Sequence, residues 1–169
     1  MLYTTFRPNF KKSKLDNKPN AISYEVEQLN QEFYDSAILF IETVFYKEQN
    51  IPKELLLLDN NHQKWWCIRN SNEIVGTVAA WKIKSECHWG RLAIHKKLRG
   101  LGLGKRIAIK SLDELFQIGI EKVIIDARDI TGEIVLKLGG EITGKKTIFY
   151  EHPITPMKIQ RKKFIYKTR

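Results

Sequence analysis

The segment from residue 90 to residue 105 holds the strongest chemical signal in this chain. It reads Gly-Arg-Leu-Ala-Ile-His-Lys-Lys-Leu-Arg-Gly-Leu-Gly-Leu-Gly-Lys: a short apolar strand, a basic turn and three glycines at alternate positions. Glycines at this spacing leave successive backbone N–H groups unobstructed at the start of the amphipathic helix that follows. Together with the positive end of the helix dipole, these groups can bind an anionic phosphate. The pattern therefore predicts a phosphate-binding loop.

Two well-known phosphate loops do not fit this spacing. A dinucleotide-binding fold requires G-x-G-x-x-G with an acidic residue about 20 positions later. Glu121 and Asp126 lie at roughly that distance, but the glycines follow the pattern G-x-G-x-G. A P-loop requires G-x-x-x-x-G-K-[ST]. Here Gly104 and Lys105 are followed by Arg106, and position 99 holds no glycine, so this interpretation fails as well.

A third pattern, [RQ]-x-x-G-x-[GA] after a strand of the form L-A-V, fits the loop at every position. This pattern resembles the acyl-CoA loop of the GNAT superfamily of N-acetyltransferases. The resemblance implies that the loop amides bind the pyrophosphate of acetyl-CoA and that the preceding strand hydrogen-bonds the pantetheine arm. The residues that it assigns to acetyl-CoA are Leu92, Ala93, Ile94, Arg99, Gly100, Leu101, Gly102, Leu103, Gly104 and Lys105. The alternative is a structural turn without a ligand, which is disfavoured because each glycine costs roughly 0.5–1 kcal/mol beside a regular element.

The resemblance also implies catalytic groups for acetyl transfer to an amine. The ammonium must lose a proton, the thioester oxygen must be polarised, and the departing thiolate needs a proton. In the family, backbone amides of the splayed strand, here around 92–94, polarise the thioester, and a Glu on that strand commonly acts as base. Glu86 is the matching candidate, and His88 lies two residues nearer to the splay, where it could relay a proton. A solvated carboxylate and a structural histidine are the alternatives.

The general acid is where the chain departs from the family pattern. The family usually places a Tyr in the late helix, in a segment like F-Y-x-x-x-G-F, and Val135 stands at that position. The Asn that often contacts CoA earlier in that segment is replaced by Arg128. Either Tyr150 or water then protonates the thiolate, which can also depart without a dedicated acid at some cost in rate, or the chain is inactive. An acyl-CoA-binding regulatory module without transferase activity is therefore a second hypothesis.

The remaining apolar pattern predicts the elements that position these groups. Their order indicates an α/β (α+β) chain with a mixed, mostly antiparallel central sheet and helices on both faces, similar to the GNAT fold over residues 22–160. The predicted strands are one beginning at Ile22, then Trp65–Arg69, Ile74–Ile83, Ser85–Ile94, Val123–Ala127, and an antiparallel pair of Thr147–Glu151 and Met157–Gln160. The predicted helices are Asp35 to about Gln49 with Asp35 as N-cap, Gly104–Gln117, and about Thr131 to Leu138.

Two further expectations concern packing. Along the strand that leads into the glycine loop, the even-numbered residues 86–94 are expected to share one face and the odd-numbered residues the other. The four tryptophans are expected to belong to the core because large aromatic side chains in central strands are usually buried: Trp65, Trp66, Trp81 and Trp89.

Charge divides the chain into a basic N-terminal extension (1–20), an acyltransferase-like domain (21–160) and a basic C-terminal tail (161–169). The net charge is +10, with +4 on residues 1–20 and +6 on residues 158–169. Residues 82–110 carry a local +8 around the glycine loop, which suits a polyanion such as CoA. The basic ends indicate a third hypothesis, an acetyltransferase acting on a nucleic-acid-associated substrate, although terminal charge runs are more often solvated.

Composition limits the remaining classes. Cys67 and Cys87 lack C-x-x-C spacing and are expected to be reduced thiols. No apolar run approaches the roughly 20 residues of a membrane span, and a secretory signal is not expected. The four histidines are scattered singly, so no metal site is expected. The prediction is a cytoplasmic, metal-free acetyltransferase that uses acetyl-CoA and an amine acceptor (a small molecule, peptide or protein), as a monomer or homodimer.

Overall fold

The computed structural model describes residues 23–56 and 63–166 of the 169-residue chain. Its strands are β1 (Val26–Gln28), β2 (Lys64–Asn70), β3 (Glu73–Ile83), β4 (Glu86–Ile94), β5 (Lys122–Arg128), β6 (Glu141–Ile142), β7 (Thr147–Phe149) and β8 (His152–Gln160). Its α-helices are α1 (Tyr34–Ile41), α2 (Leu103–Gln117) and α3 (Asp129–Lys137). The predicted N-terminal extension and the predicted strand start at Ile22 lie outside the described residues.

These strands form a single sheet in the order β1-β2-β3-β4-β5-β8-β6, with β7 also paired to β8. All the pairs are antiparallel except β4 with β5. Alternate residues of β2 enter two hydrophobic clusters: Trp66 lies in one with side chains of α2, and Trp65 lies in another with side chains of α1. The predicted mixed, mostly antiparallel sheet with helices on both faces is therefore confirmed.

A β-bulge in β4 makes the predicted alternation of that strand wrong. Arg91 and Leu92 together lie opposite the single residue Val78 of β3, and Arg91 has a left-handed φ of 57°. The extra residue reverses the alternation. Trp89, before the bulge, packs in the α2 cluster, whereas Ala93, after it, packs in the α1 cluster. Even-numbered residues on the two sides of the bulge consequently lie on different faces.

The first helix is shorter than predicted. It begins at Tyr34, so that Asp35 lies in its first turn and is not the N-cap residue. After Ile41 the chain continues as a π-helix, within which the Thr43 hydroxyl donates to the Leu39 carbonyl oxygen at 3.0 Å. A threonine bonded in this way disturbs the regular helical ladder. The 3.6-residue period on which the prediction rested does not hold across this segment.

The last strand is longer than predicted, since β8 begins at His152 and not at Met157. This strand includes Pro153 and Pro156, and proline cannot donate to the ladder. The Pro156 carbonyl oxygen accepts from the Thr143 N–H at 2.9 Å, so its missing N–H also points away from β5. On the side of β8 that faces β6 and β7, residues 155 and 156 pair with neither strand. The missing N–H of Pro156 therefore removes no hydrogen bond between strands.

The domain extends beyond the boundary predicted at residue 160. Phe164 is only 4% exposed, and its ring lies 5.2 Å from the ring of Phe116 on α2. The Ile165 N–H donates to the Leu138 carbonyl oxygen at 3.2 Å. One aromatic side chain within a basic run is enough to hold this segment on the core, so residues 161–166 belong to the domain.

Glu114 on α2 connects the helix to the edge of the sheet. Its Oε2 accepts from Trp66 Nε1 and from Gln28 Nε2, each at 2.8 Å, and its Oε1 pairs with Lys110 Nζ at 3.0 Å. Burial raises the pKa of Glu114, but these hydrogen bonds outweigh burial, so that its pKa lies below the ordinary value. A carboxylate whose pKa is lower in the folded state stabilises the fold at pH values above its unfolded-state pKa. This stabilisation is lost as the pH falls through the folded-state pKa.

We therefore expect Glu114→Gln to lower the free energy of unfolding by about 1–3 kcal/mol at pH 7. The difference from wild type should shrink as the pH falls below about 4. Urea denaturation at pH 7 and at pH 3 measures both values. Glu121→Gln is the control, because Glu121 forms an exposed ion pair with Arg161 and should change stability by less than about 1 kcal/mol. An equal cost of Glu114→Gln at both pH values would contradict this account.

Candidate active site

A cavity opens where the parallel strands β4 and β5 separate. Their register pairs Cys87 with Val123 and His88 with Ile124, and beyond these pairs both strands line a cavity of about 250 Å³. The bulge at Arg91 lies just past this point and interrupts the ladder. Backbone groups of β4 on the side of β5 are thereby left without a strand partner, which makes them available to a ligand in an extended conformation.

The glycine loop has the geometry of an anion site. Gly100 and Gly102 have φ angles of 85° and 76°, a left-handed conformation that favours glycine. A Cβ atom added at either position would meet nothing within 4 Å, so the space outside the loop is open. Gly102 is the N-cap of α2, whose first-turn N–H groups have no partner within the helix. Gly104 differs, since an added Cβ would contact Ile134 Cδ1 at 3.4 Å, and this glycine allows α2 to pack closely on α3.

Arg99 holds the loop in place. Its Nε donates to the Ile94 carbonyl oxygen at 2.9 Å, and its Nη2 pairs with Glu48 Oε2 at 2.8 Å. These contacts join the end of β4, the loop and the segment after α1. The side chain of Arg99 is therefore a positioning group within the loop.

The other residues assigned to acetyl-CoA take different positions around the loop. Ala93 and Leu103 are buried, and Leu92 and Ile94 pack partly buried against the α2 cluster. Leu101 is 61% exposed at the loop tip. Lys105 Nζ lies 5.1 Å from the centroid of the Tyr166 ring. Their side chains build the loop and its surroundings, and only their backbone groups are suited to the ligand.

His88 is the predicted catalytic residue that the fold places in the cavity. It lies at the last β4–β5 pair and lines the opening. Its ring stacks on Trp81 with centroids 6.0 Å apart and an interplanar angle of 21°. The sequence prediction that all four tryptophans are core residues was wrong for Trp81, which is half-buried and lines the cavity. Gly90 was the one residue in the sequence that could have indicated this position of Trp81. A Cβ atom at Gly90 would lie 3.1 Å from Trp81 Cη2, so the glycine allows the ring to approach closely.

The fold does not bring Glu86 and Tyr150 into the cavity lining. Glu86 begins β4, is exposed, and pairs with Lys122 Nζ at 3.2 Å. Tyr150 forms the β7–β8 turn with Glu151, both at positive φ, and is 43% exposed. Its ring packs edge-on against Phe149, which does line the cavity, with centroids 4.7 Å apart. Tyr150 thus lies beside the cavity mouth, and Glu86 lies at the opposite end of β4 from the bulge.

The cavity is also lined by two arginines, Arg91 and Arg128, which the sequence analysis did not place in a pocket. Arg91 Nη2 donates to the Leu55 carbonyl oxygen at 2.6 Å, and its guanidinium lies 5.5 Å from the centroid of the Trp81 ring. Burial lowers the pKa of Arg91. Arg128 lies across the cavity at the end of β5, and burial is also the largest cause of its lowered pKa, with the charge of Arg99 acting in the same direction.

His152 is held as one tautomer by its two neighbours. Its Nδ1 lies 2.8 Å from Arg128 Nη2, and its Nε2 lies 3.2 Å from the Gln49 carbonyl oxygen. An arginine can only donate, and a carbonyl oxygen can only accept. With these partners, Nδ1 is the acceptor and Nε2 is the donor. With both nitrogens engaged, His152 positions the Arg128 side chain and has no free nitrogen for a substrate.

Val135, which occupies the place of the usual tyrosine, is fully buried in the α2 cluster. An added Cβ at Gly140 would lie only 2.4 Å from Val135 Cγ1, so the helix C-terminus closes directly over this side chain. The position faces the core in this chain. Val135 therefore offers no proton donor to the cavity.

The cysteines and histidines offer no other chemistry in the described part of the chain. Cys67 and Cys87 are both buried and free, and burial raises the pKa of Cys67 to about 11, which keeps it an unreactive thiol. Within residues 23–56 and 63–166, no three His, Cys, Asp or Glu side chains come together as metal ligands. The helices of the same residues include none that is long and apolar enough to span a membrane.

The glycine loop at a helix N-terminus beside two diverging strands defines an acyl-CoA-dependent acyltransferase fold. The family model for the acetyltransferase (GNAT) family matches residues 24–131, which is more than half of the chain, and the chain belongs to this family. The suspected resemblance is thereby confirmed. No curated protein sequence matches the chain.

Solved structures share the fold at low sequence identity. ElaA from Escherichia coli aligns with a TM-score of 0.72 and 17% identity, covering 80% of this chain and 99% of that one. The aminoglycoside 6'-N-acetyltransferase from Enterococcus faecium aligns with a TM-score of 0.65 and 13% identity, covering 81% of this chain and 97% of that one. The PaiA N-acetyltransferase from Thermoplasma acidophilum, in complex with coenzyme A, aligns with a TM-score of 0.61 and 15% identity, covering 82% of this chain and 99% of that one. At these identities the similarity establishes the fold, and the acceptor has to be argued from the cavity.

Proposed function

We propose that this protein is an N-acetyltransferase that transfers an acetyl group from acetyl-CoA to a primary amine, directly, in a ternary complex. The observation that carries the proposal is the pair of left-handed glycines, open to solvent on their Cα side, at the N-terminus of α2 beside the β4–β5 opening. Anions bind favourably at such helix N-termini. A structure of a relative in the same fold holds coenzyme A, which agrees with this assignment.

The residues of this chain fit the shape and charge of acetyl-CoA. The loop amides after Arg99 would hold the pyrophosphate, and unpaired backbone groups of β4 beyond His88 would hold the pantetheine arm. The bound group would supply an acetyl thioester. A backbone N–H near residues 92–94 would then be the donor that stabilises negative charge on the thioester oxygen.

His88 is the proposed general base. Its ring lines the cavity and stacks on Trp81, and no hydrogen bond to either ring nitrogen comes from the described residues, so a nitrogen is available to an incoming ammonium. Glu86 is less suitable because it is exposed and paired with Lys122. For the thiolate, Tyr150 beside the cavity mouth or water remains the proposed proton source. We also expect the enzyme to be cytoplasmic and to act as a monomer or homodimer.

A binding module without transferase activity is the second candidate. The buried, core-facing Val135 favours it, because the usual position of the general acid holds no ionisable group. An acceptor associated with nucleic acid gains less support. Arg161 and Lys163 of the basic C-terminal run pair with Glu121 and Glu141, at 2.9 and 2.5 Å, which reduces the charge available to a polyanion.

The first test is thermal melting of the full chain with and without acetyl-CoA, with NAD and ATP as controls. A ligand at 100 times its dissociation constant adds about 2.7 kcal/mol, which raises the midpoint by roughly 5–10 °C at this size. A thiol-release assay with a panel of primary amines then separates the candidates. A shift with acetyl-CoA and turnover of an amine supports the enzyme, whereas a shift without turnover of any amine supports the binding module. No shift with acetyl-CoA would contradict both.

A further inference from the structure

Arg91 is a half-buried cation in the cavity, and part of its hydrogen-bonding capacity is unused among the described residues. Of its five N–H donors, one is bonded to the Leu55 carbonyl oxygen, and Nε is buried without an acceptor in the described part of the chain. None of the ion pairs among the described residues includes it. Buried polar groups in native proteins nearly always have a partner. A guanidinium in this state is suited to an anionic ligand, which it can bind through two parallel N–H groups.

The described part of the cavity lining is positive. Two guanidinium groups, those of Arg91 and Arg128, face the cavity, and Asp126 is the one carboxylate among the described lining residues. Asp126 is exposed. Because like charges oppose one another strongly at a desolvated site, this lining disfavours an acceptor with several ammonium groups.

Its walls are otherwise apolar and aromatic. Phe45, Trp81, Phe149 and Ile154 line it, and the Trp81 ring supports the guanidinium of Arg91 from one side. Its volume of about 250 Å³ is below the usual range of ligand pockets, about 300–1,000 Å³. In the proposed complex the thioester end of acetyl-CoA shares this space, so the acceptor is small, has an apolar body, and offers one anionic group close to its amine.

We infer that the acceptor is a free α-amino acid with an apolar or aromatic side chain, whose carboxylate is bound by Arg91 and whose amine faces His88. This inference rests on the proposed acetyltransferase function and adds its substrate class. Arg91 is here a specificity-determining residue. Its left-handed backbone at the bulge points the side chain into the cavity, which a residue in regular strand geometry would not do.

Matched pairs of acceptors test this inference in the thiol-release assay. L-phenylalanine is compared with phenethylamine, and L-leucine with isoamylamine, since each pair differs by the carboxylate alone. We expect kcat/KM to be at least about 10–100-fold higher for the amino acids, the usual scale for losing hydrogen bonds to a charged group. Equal kcat/KM within each pair, or a preference for spermidine, would overturn the inference and leave the proposed function standing. Absence of acetyl-CoA binding would overturn both.

The variant Arg91→Asn tests whether Arg91 causes the preference for acceptors that have a carboxylate. Asparagine tolerates the left-handed conformation, so the bulge is retained while the guanidinium is removed. We expect kcat/KM for L-phenylalanine to fall about 10–100-fold and the value for phenethylamine to stay within about threefold, with acetyl-CoA binding unchanged. Lys84→Asn is the matched control, because Lys84 is an exposed cation at a φ of 54°, outside the cavity lining. An unchanged preference in Arg91→Asn would overturn the role of Arg91.

Discussion

Gly102→Glu should abolish acetyl-CoA binding, with the dissociation constant rising by at least about 100-fold, because several charge-assisted hydrogen bonds of about 1.5–3 kcal/mol each are lost. At a φ of 76° the new side chain would project from the N-cap of α2 into the space proposed for the pyrophosphate. Its carboxylate would also occupy the positive end of the helix dipole. Isothermal titration calorimetry with acetyl-CoA measures the effect.

Gly119→Glu is the matched control for this variant. Gly119 has a φ of 95°, and an added Cβ meets nothing within 4 Å, so both substitutions share the same backbone strain and the same change in charge. It lies at the other end of α2, 15 residues in length, which separates the two sites by about 22 Å. We expect Gly119→Glu to bind acetyl-CoA as wild type does. Wild-type affinity in Gly102→Glu would exclude the loop as the phosphate site.

His88→Gln should lower kcat about 100- to 1,000-fold, the range expected for loss of a positioned general base. Glutamine retains polar atoms near the ring position but cannot accept a proton at neutral pH. Because His88 lies in the acceptor cavity and not in the glycine loop, acetyl-CoA binding should be unchanged. Steady-state kinetics with the best amine of the panel, combined with calorimetry, separate the loss of catalysis from a loss of binding.

Glu86→Gln distinguishes the two candidate bases on the same strand. Glu86 is exposed and paired with Lys122 at the start of β4, and an exposed ion pair contributes less than about 1 kcal/mol. We expect Glu86→Gln to retain kcat within about threefold. The opposite result, a large loss in Glu86→Gln with normal turnover in His88→Gln, would assign the base to Glu86 acting through water.

The conformation of the glycine loop could be predicted from its sequence, whereas its role as an acetyl-CoA site stays a prediction. Its left-handed turns and its helix start are local features, so the spacing of Gly100, Gly102 and Gly104 contains the necessary information. The order of strands and helices could also be predicted from local sequence, because the hydrophobic period of each element shows which of its faces is buried. Membership of the GNAT family and the mixed sheet agree with those predictions, and α2 begins at Leu103, one residue before its predicted start.

The acceptor side of the cavity could not be predicted in the same way. Arg91 enters the cavity because β4 has one residue more than β3 at the bulge. The extra residue moves the following side chains of β4 to the opposite face of the sheet, and the composition of the strand does not reveal it. Trp81 joins the cavity by pairing with His88 in the neighbouring strand, and His152 joins it through contacts with Arg128 and Gln49, which are distant in the sequence. No local pattern indicates which of several exposed or half-buried side chains a bulge will turn inward.

The amino-acid sequence alone therefore determined the fold class and the conformation of the glycine loop, because the first follows from the hydrophobic period of each element and the second from backbone preferences of a few consecutive residues. The tertiary structure alone decided which side chains share the cavity: it brought His88, Arg91 and Arg128 together and left Glu86 in an ion pair at the far end of its strand. The physical reason is that strand register, the bulge and the divergence of β4 from β5 are properties of the assembled sheet.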